Sequence, residues 1–102
     1  TVLMPGSVIN SGAIIGENCI INSNSVIEHD AFIGNNTHIS TGTIINGKCR
    51  VGKNCFIGSR STLKDRVEIF DNITVGCGTT IVKNITKKGT YINQIDLKKI
   101  ND

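Results

Sequence analysis

The sequence predicts an all-β fold, a single-stranded parallel β-helix of triangular section with about 18 residues per coil, and three observations predict it. The first is a period of six: Leu3 and every sixth residue after it through Ile81 are aliphatic, fourteen in succession. The second is a companion column four residues further on, mostly small, running Ser7, Ala13, Cys19, Ser25, Ala31, Thr37, Thr43, Cys49, Cys55, Ser61 and onward through Thr79 to Ile85. The third lies between the two columns, where the fourth place of each hexad is Gly or Asn in ten of fourteen cases, beginning Gly6, Gly12, Asn18, Asn24. Those two residues best tolerate a left-handed turn. Each hexad therefore reads as a short strand followed by a corner. An amphipathic helix would repeat its apolar residues at about 3.6, and a hairpin meander would space its turns farther apart.

Taken in order, Leu3, Ile9 and Ile15 give the first coil, Ile21, Ile27 and Ile33 the second, and Ile39, Ile45 and Val51 the third. Ile57, Leu63 and Ile69 give the fourth, and Val75 and Ile81 begin a fifth. Coils stack at the strand spacing of about 4.8 Å, and each buried aliphatic contributes roughly 1.5–3 kcal/mol. Residues 1–86 are assigned to the β-helix. Residues 87–102 are assigned to a tail that caps the last coil, whose strand edges would otherwise be open. Cys19, Cys49 and Cys55 fall in the small inward column with no C-x-x-C spacing, so they read as reduced core residues, while Cys77 falls on a corner.

In each strand the residue between the two inward ones points outward. One face then shows Val8, Val26 and Ile44, another shows Ile20, His38 and Phe56, and the third carries Arg50 and Glu68. Two apolar rows on two faces of one prism predict burial against neighbours in a closed homotrimer, with His38 in or beside the contact.

Composition removes several classes of function. The 102 residues contain no apolar run of about 20 and no basic-then-apolar leader, which predicts a cytoplasmic protein with no membrane partner. The net charge of +3 is unevenly placed, since all 11 Lys and Arg lie from Lys48 onward. That asymmetry points to an anionic ligand. Phe32, Phe56, Phe70 and Tyr91 do not interleave with the basic residues as a nucleic-acid stacking platform would, so no nucleic acid is expected. A zinc enzyme on such a helix would use three histidines and this chain has two, so no metal is expected.

The stretch "VIEHDAFIGNNTHIS", Val26 to Ser40, holds both histidines, one of them within Glu28-His29-Asp30 and the other nine residues later at His38. Together with the hexads this resembles the left-handed β-helix, or hexapeptide-repeat, acyltransferases, over about Leu3 to Ile85. Among them it is similar to the sugar acetyltransferases that modify sialic acids and bacillosamine-type nucleotide sugars. The resemblance implies a left-handed coil and acetyl transfer from acetyl-coenzyme A to an amino or hydroxyl group of a sugar or nucleotide sugar, in a groove between two subunits. It implies that His29 is the general base, that Asp30 raises its basicity, and that His38, Ser59 and Cys77 contact the acetyl-CoA.

The column arithmetic is compatible. His29 shares a corner column with Ser11, Gly47 and Asp65, so a Gly47 amide one coil above the base would stabilise an oxyanion. Thr41, Ser59 and Cys77 form another corner column that would line an extended ligand, whose phosphates would meet Lys83, Lys87 and Lys88. The chain departs from the family in two places. The family carries a small α/β domain for the nucleotide sugar ahead of the strands, which is absent from this reading of the chain. Its tail carries Gly-x-Pro-Ala where this chain has Asn93-Gln94-Ile95. The alternative to an enzyme is a non-catalytic solenoid acting as a trimerisation or binding module.

Overall fold

A strand only two residues long, followed at once by a corner, cannot pair with its neighbour in sequence. Its backbone groups must find partners one full coil away. The computed structural model, which describes residues 1–93 and 97–101, has this arrangement and contains no helix among them. The strands are β1 (Val2–Leu3), β2 (Val8–Ile9), β3 (Ile14–Ile15), β4 (Ile20–Ile21), β5 (Val26–Ile27), β6 (Phe32–Ile33), β7 (His38–Ile39) and β8 (Ile44–Ile45). They continue as β9 (Arg50–Val51), β10 (Phe56–Ile57), β11 (Thr62–Leu63), β12 (Glu68–Ile69), β13 (Ile73–Val75), β14 (Thr80–Ile81) and β15 (Gly89–Tyr91). They form three parallel sheets: sheet A is β1-β4-β7-β10-β13-β15, sheet B is β2-β5-β8-β11-β14, and sheet C is β3-β6-β9-β12.

The register keeps the period found in the sequence. On sheet A, Val2 lies opposite Ile20, Ile20 opposite His38, His38 opposite Phe56 and Phe56 opposite Thr74. The period breaks after Ile81. Thr74 pairs with Thr90 and Ile69 with Ile85, so the last coil is two residues shorter than the others. The hexad count put Ile85 in the small column, but the pairing puts it opposite Ile69, in the place of a large inward aliphatic. The strand at Gly89–Tyr91 lies within the segment assigned to the cap and adds a sixth strand to sheet A. The rest of that cap includes Gln94, Ile95, Asp96 and Asp102, which lie outside the described residues.

Inward aliphatics from Ile21 to Val75 are fully buried, together with Cys19, Cys49 and Cys55. Leu3, counted in the same column, lies in the first strand and is 54% exposed. The small column has a purpose beyond size. Ser25 Oγ donates to the Ser40 carbonyl at 2.6 Å, Thr43 Oγ1 to Gly58 at 3.1 Å and Ser61 Oγ to Gly76 at 3.0 Å. Cys49 Sγ and Cys55 Sγ do the same toward Lys64 and Phe70. From Cys19 to Ser61 each inward hydroxyl or thiol thereby satisfies a carbonyl fifteen residues later, while Ser7 and Thr79 bond the carbonyl three residues earlier, which explains Ser, Thr and Cys where Ala alone would fill the space.

All four cysteines are free thiols, three buried and Cys77 exposed. Burial pushes the Cys49 and Cys55 thiols above their ordinary pKa. The outward rows are as counted: Val8 and Ile44 on sheet B and Ile20 and Phe56 on sheet A are exposed apolar side chains. Sheet C is more mixed than expected, with Ile14 exposed and the Arg50 guanidinium lying 4.3 Å over the Phe32 ring.

Candidate active site

The corner between sheets B and C is built by the fourth place of each hexad. The backbone there is left-handed at Gly12, Asp30, Lys48 and Arg66, with φ of 76°, 59°, 61° and 65°. Asp30, Lys48 and Arg66 adopt a conformation that Gly and Asn take more readily, at a cost of roughly 1–3 kcal/mol each. Such strain gathers where side chains are held for a purpose.

At Asp30 the left-handed turn brings the carboxylate back against the preceding residue, and Oδ2 lies 3.2 Å from His29 Nδ1. A proton on Nδ1 donated to this carboxylate leaves the Nε2 lone pair free, the tautomer a general base needs. Nε2 faces the coil above. A Cβ placed on Gly47 would stand 2.6 Å from it and 2.8 Å from Cε1, so only glycine lets the ring lie against the backbone at this distance. The column is tied axially by three hydrogen bonds: Asp30 N–H to the Ser11 carbonyl, Lys48 N–H to His29 and Arg66 N–H to Gly47, at 3.1, 3.0 and 2.9 Å. Among the described residues the Gly47 N–H has no acceptor.

Around His29 opens a cavity of about 510 Å³ lined by Glu28, His29, Asn46, Gly47, Lys48, Lys64, Asp65 and Arg66. Glu28 accepts a hydrogen bond from the Asn10 side chain. Asn46 Nδ2 donates to the Leu63 carbonyl at 2.8 Å. His29 and Asp30 remain about 60% and 58% exposed, so a substrate can reach the imidazole from solvent.

The remaining expected site residues lie elsewhere on the chain. His38 is half-buried on sheet A, edge-to-face with Phe56 at 5.0 Å between ring centres, and its Nε2 is 3.4 Å from Asn22 Nδ2. Ser59 and Cys77 occupy the corner between sheets A and B. There Arg60 N–H bonds the Thr41 carbonyl and Gly78 N–H bonds Ser59, both at 2.8 Å, and Ser59 Oγ meets Ser40 Oγ at 2.8 Å. One chain thus brings together His29, Asp30 and Gly47, with the width of sheet B between them and the Ser59 and Cys77 corner. Lys48, Lys64 and Arg66 were not singled out by the sequence reading. The signal was present, since Lys48 and Arg66 break the Gly or Asn rule at the fourth place.

Comparison with protein-family models matches the bacterial transferase hexapeptide (six repeats) over residues 1–29 and 30–65, and the hexapeptide repeat of succinyl-transferase over 48–83. A search of curated proteins gave no match. Among solved structures, serine acetyltransferase isoform 3 from Entamoeba histolytica, in complex with cysteine, superposes with a TM-score of 0.84 at 19% identity, over 95% of this chain and 38% of that one. PerB from Caulobacter crescentus, in complex with CoA and GDP-perosamine, gives 0.76 at 24% identity over 90% and 50%. The acetyltransferase domain of PglB from Neisseria gonorrhoeae, in complex with acetyl coenzyme A, gives 0.74 at 22% identity over 89% and 53%. The chain spans about half or less of the length of these three proteins. With the repeat model covering most of the coils and the three-sheet solenoid carrying them, the chain belongs to the bacterial transferase hexapeptide family.

Proposed function

We propose that this chain transfers an acetyl group from acetyl-CoA to an amino or hydroxyl group of a sugar or nucleotide sugar, with His29 as general base. The observation that carries the reading is the Asp30–His29 pair whose Nε2 is left open over Gly47 at the mouth of the cavity. Nε2 takes the proton from the acceptor nitrogen or oxygen as it attacks the thioester carbonyl. The Gly47 N–H, free of other partners, stabilises the developing oxyanion. Collapse of the tetrahedral intermediate expels the thiolate of coenzyme A, which receives the proton from the imidazolium. Asp30 fixes the Nδ1–H tautomer and stabilises that imidazolium. No covalent enzyme intermediate is needed, so the cysteines stay out of the chemistry.

The distribution of the other residues supports a site shared between copies. The exposed rows on sheets A and B are suited to packing in a homotrimer, and in this reading the sheet B/C corner of one copy is set against sheet A and the A/B corner of the next. His38, Ser59 and Cys77 of that neighbour, with Gly47 beside the base, line the donor's path. The solved structures of PerB and PglB, with CoA or acetyl coenzyme A bound, support this choice of donor.

Titration with acetyl-CoA tests the donor: thermal stabilisation of the wild type that is lost in His38→Ala is the expected result, and no stabilisation at millimolar ligand favours the non-catalytic solenoid. His29→Ala should lower acetyl transfer to an amino-sugar nucleotide by about 10²–10⁴-fold while leaving the oligomer intact. Unchanged turnover removes His29 from the mechanism.

A further inference from the structure

The cavity beside His29 carries a charge pattern that the acyl-transfer chemistry does not use. Lys48 stands one coil above the imidazole and Lys64 and Arg66 two coils above, so three cations line one side of the opening. Two carboxylates share the lining. Glu28 sits at the His29 level and is engaged by Asn10, and Asp65 approaches Arg66 Nε only to 3.9 Å, with both side chains largely exposed. A contact so long and so solvated holds its partners weakly. The cations therefore remain free to bind a ligand.

Their placement is also costly to the fold. Thirteen of the fourteen corner positions are left-handed, and most are Gly or Asn. Lys48 and Arg66 occupy two of them on this edge, next to Asp30, which has a use at His29, while the edge between sheets A and B carries one such cation, Arg60. Backbone strain of this kind is retained where side chains serve a site. Burial does not account for it, because both residues are exposed.

We infer that Lys48, Lys64 and Arg66 form an anion subsite that holds a phosphate of the acceptor one to two coil rises, about 5–10 Å, along the edge from Nε2. This rests on the acyl-transfer reading for the identity of the acceptor but not for the existence of the subsite. The spacing is that of one sugar ring, with an anomeric phosphate on the cations and the reacting amine or hydroxyl on the far side at His29. Lys and Arg supply complementary recognition, a point charge and a planar fork, suited to phosphate oxygens. The acyl donor also carries phosphates, so the test must separate the two sources.

The probes are α-glucose 1-phosphate, methyl glucoside, inorganic diphosphate and coenzyme A, at matched ionic strength. Binding is followed by calorimetry and by the imidazole resonances of His29. Glucose 1-phosphate should shift those resonances and be displaced by diphosphate, and methyl glucoside should do neither. Lys48→Asn combined with Arg66→Asn removes two charges with a residue that favours the left-handed corner. The pair should melt at or above the wild-type temperature and bind glucose 1-phosphate at least tenfold more weakly, with coenzyme A affinity within twofold of wild type. Lys64→Gln, at a corner position whose backbone is not left-handed, should weaken glucose 1-phosphate at least threefold on its own. Wild-type affinity for glucose 1-phosphate in these variants, or a parallel loss of coenzyme A affinity, overturns the assignment. Glucose 1-phosphate binding as expected in a protein that fails to bind coenzyme A leaves the subsite standing and removes the acyl-transfer reading.

Discussion

Replacing Gly47 by alanine separates the two things this corner does. The new Cβ would stand 2.6 Å from His29 Nε2 and 2.8 Å from Cε1, against an ordinary contact of 3.4–4 Å, so ring and methyl must part by about 1 Å. Gly47 is not in the left-handed region, so alanine adds no backbone strain there. The imidazole is about 60% exposed and can swing outward. The stability change should therefore stay under about 1 kcal/mol, a shift in Tm of no more than roughly 4–8 °C. Catalysis has no such slack, since a displacement of about 1 Å at a catalytic group costs on the order of 10²-fold. Gly58→Ala provides the contrast: there a Cβ would stand 2.6 Å from the backbone of Gly76 and Cys77 in the next coil, atoms that cannot swing away. That change should destabilise by about 1–3 kcal/mol or more. Thermal melts of both variants, beside release of coenzyme A thiol during acetyl transfer, give the answer. A Gly47→Ala protein with wild-type kcat/KM would show that the imidazole's position over Gly47 has no part in the reaction.

Three further outcomes follow from the structure. Asp30→Asn keeps a residue suited to φ of 59° and so should fold normally, while losing the negative charge that supports the imidazolium; because the pair is solvated, the drop in kcat should be about tenfold, small beside the effect expected for a buried pair, and an unchanged kcat would count against Asp30. An aromatic disulfide reagent should titrate Cys77 at once and Cys19, Cys49 and Cys55 only on unfolding. The Cys49 and Cys55 thiols are held protonated above the ordinary 9.0 by burial, so the folded state binds more protons than the unfolded one beyond that pH. Stability from these groups is complete below pH 9.0 and falls as pH rises toward their folded values. Equilibrium unfolding between pH 8 and 10.5 should show that decline in the wild type and a shallower one in Cys49→Ala and Cys55→Ala, measured by denaturant midpoint.

The coils were legible because six-residue spacing fixes which side chains meet. Counting alone put Ile21, Ile39 and Ile57 in one buried row and set Gly47 above His29, and the pairings and the close approach of ring to backbone agree. Where counting failed, a local property had changed. The last coil loses two residues after Ile81, which moves Ile85 to the place opposite Ile69, and residue spacing before that point carries no sign of it. Lys48 and Arg66 were read only as charge, although their place in the hexad already required an unusual backbone. The hydrogen bonds from Ser25, Thr43 and Ser61 were hidden behind the label of small residues, which describes volume and omits the hydroxyl.

Parallel pairing at a constant eighteen-residue offset, from Val2 through Thr74, has an evolutionary consequence. A deletion or insertion must be absorbed at its own corner, as the two-residue loss after Ile81 is, or it moves every later side chain off its column. Duplicating one complete turn of chain leaves every edge aligned and lengthens the tube by one layer. The reach from a fixed corner to either end can therefore be adjusted only in whole steps, which makes gene-level duplication of turns the natural way to accommodate a longer substrate.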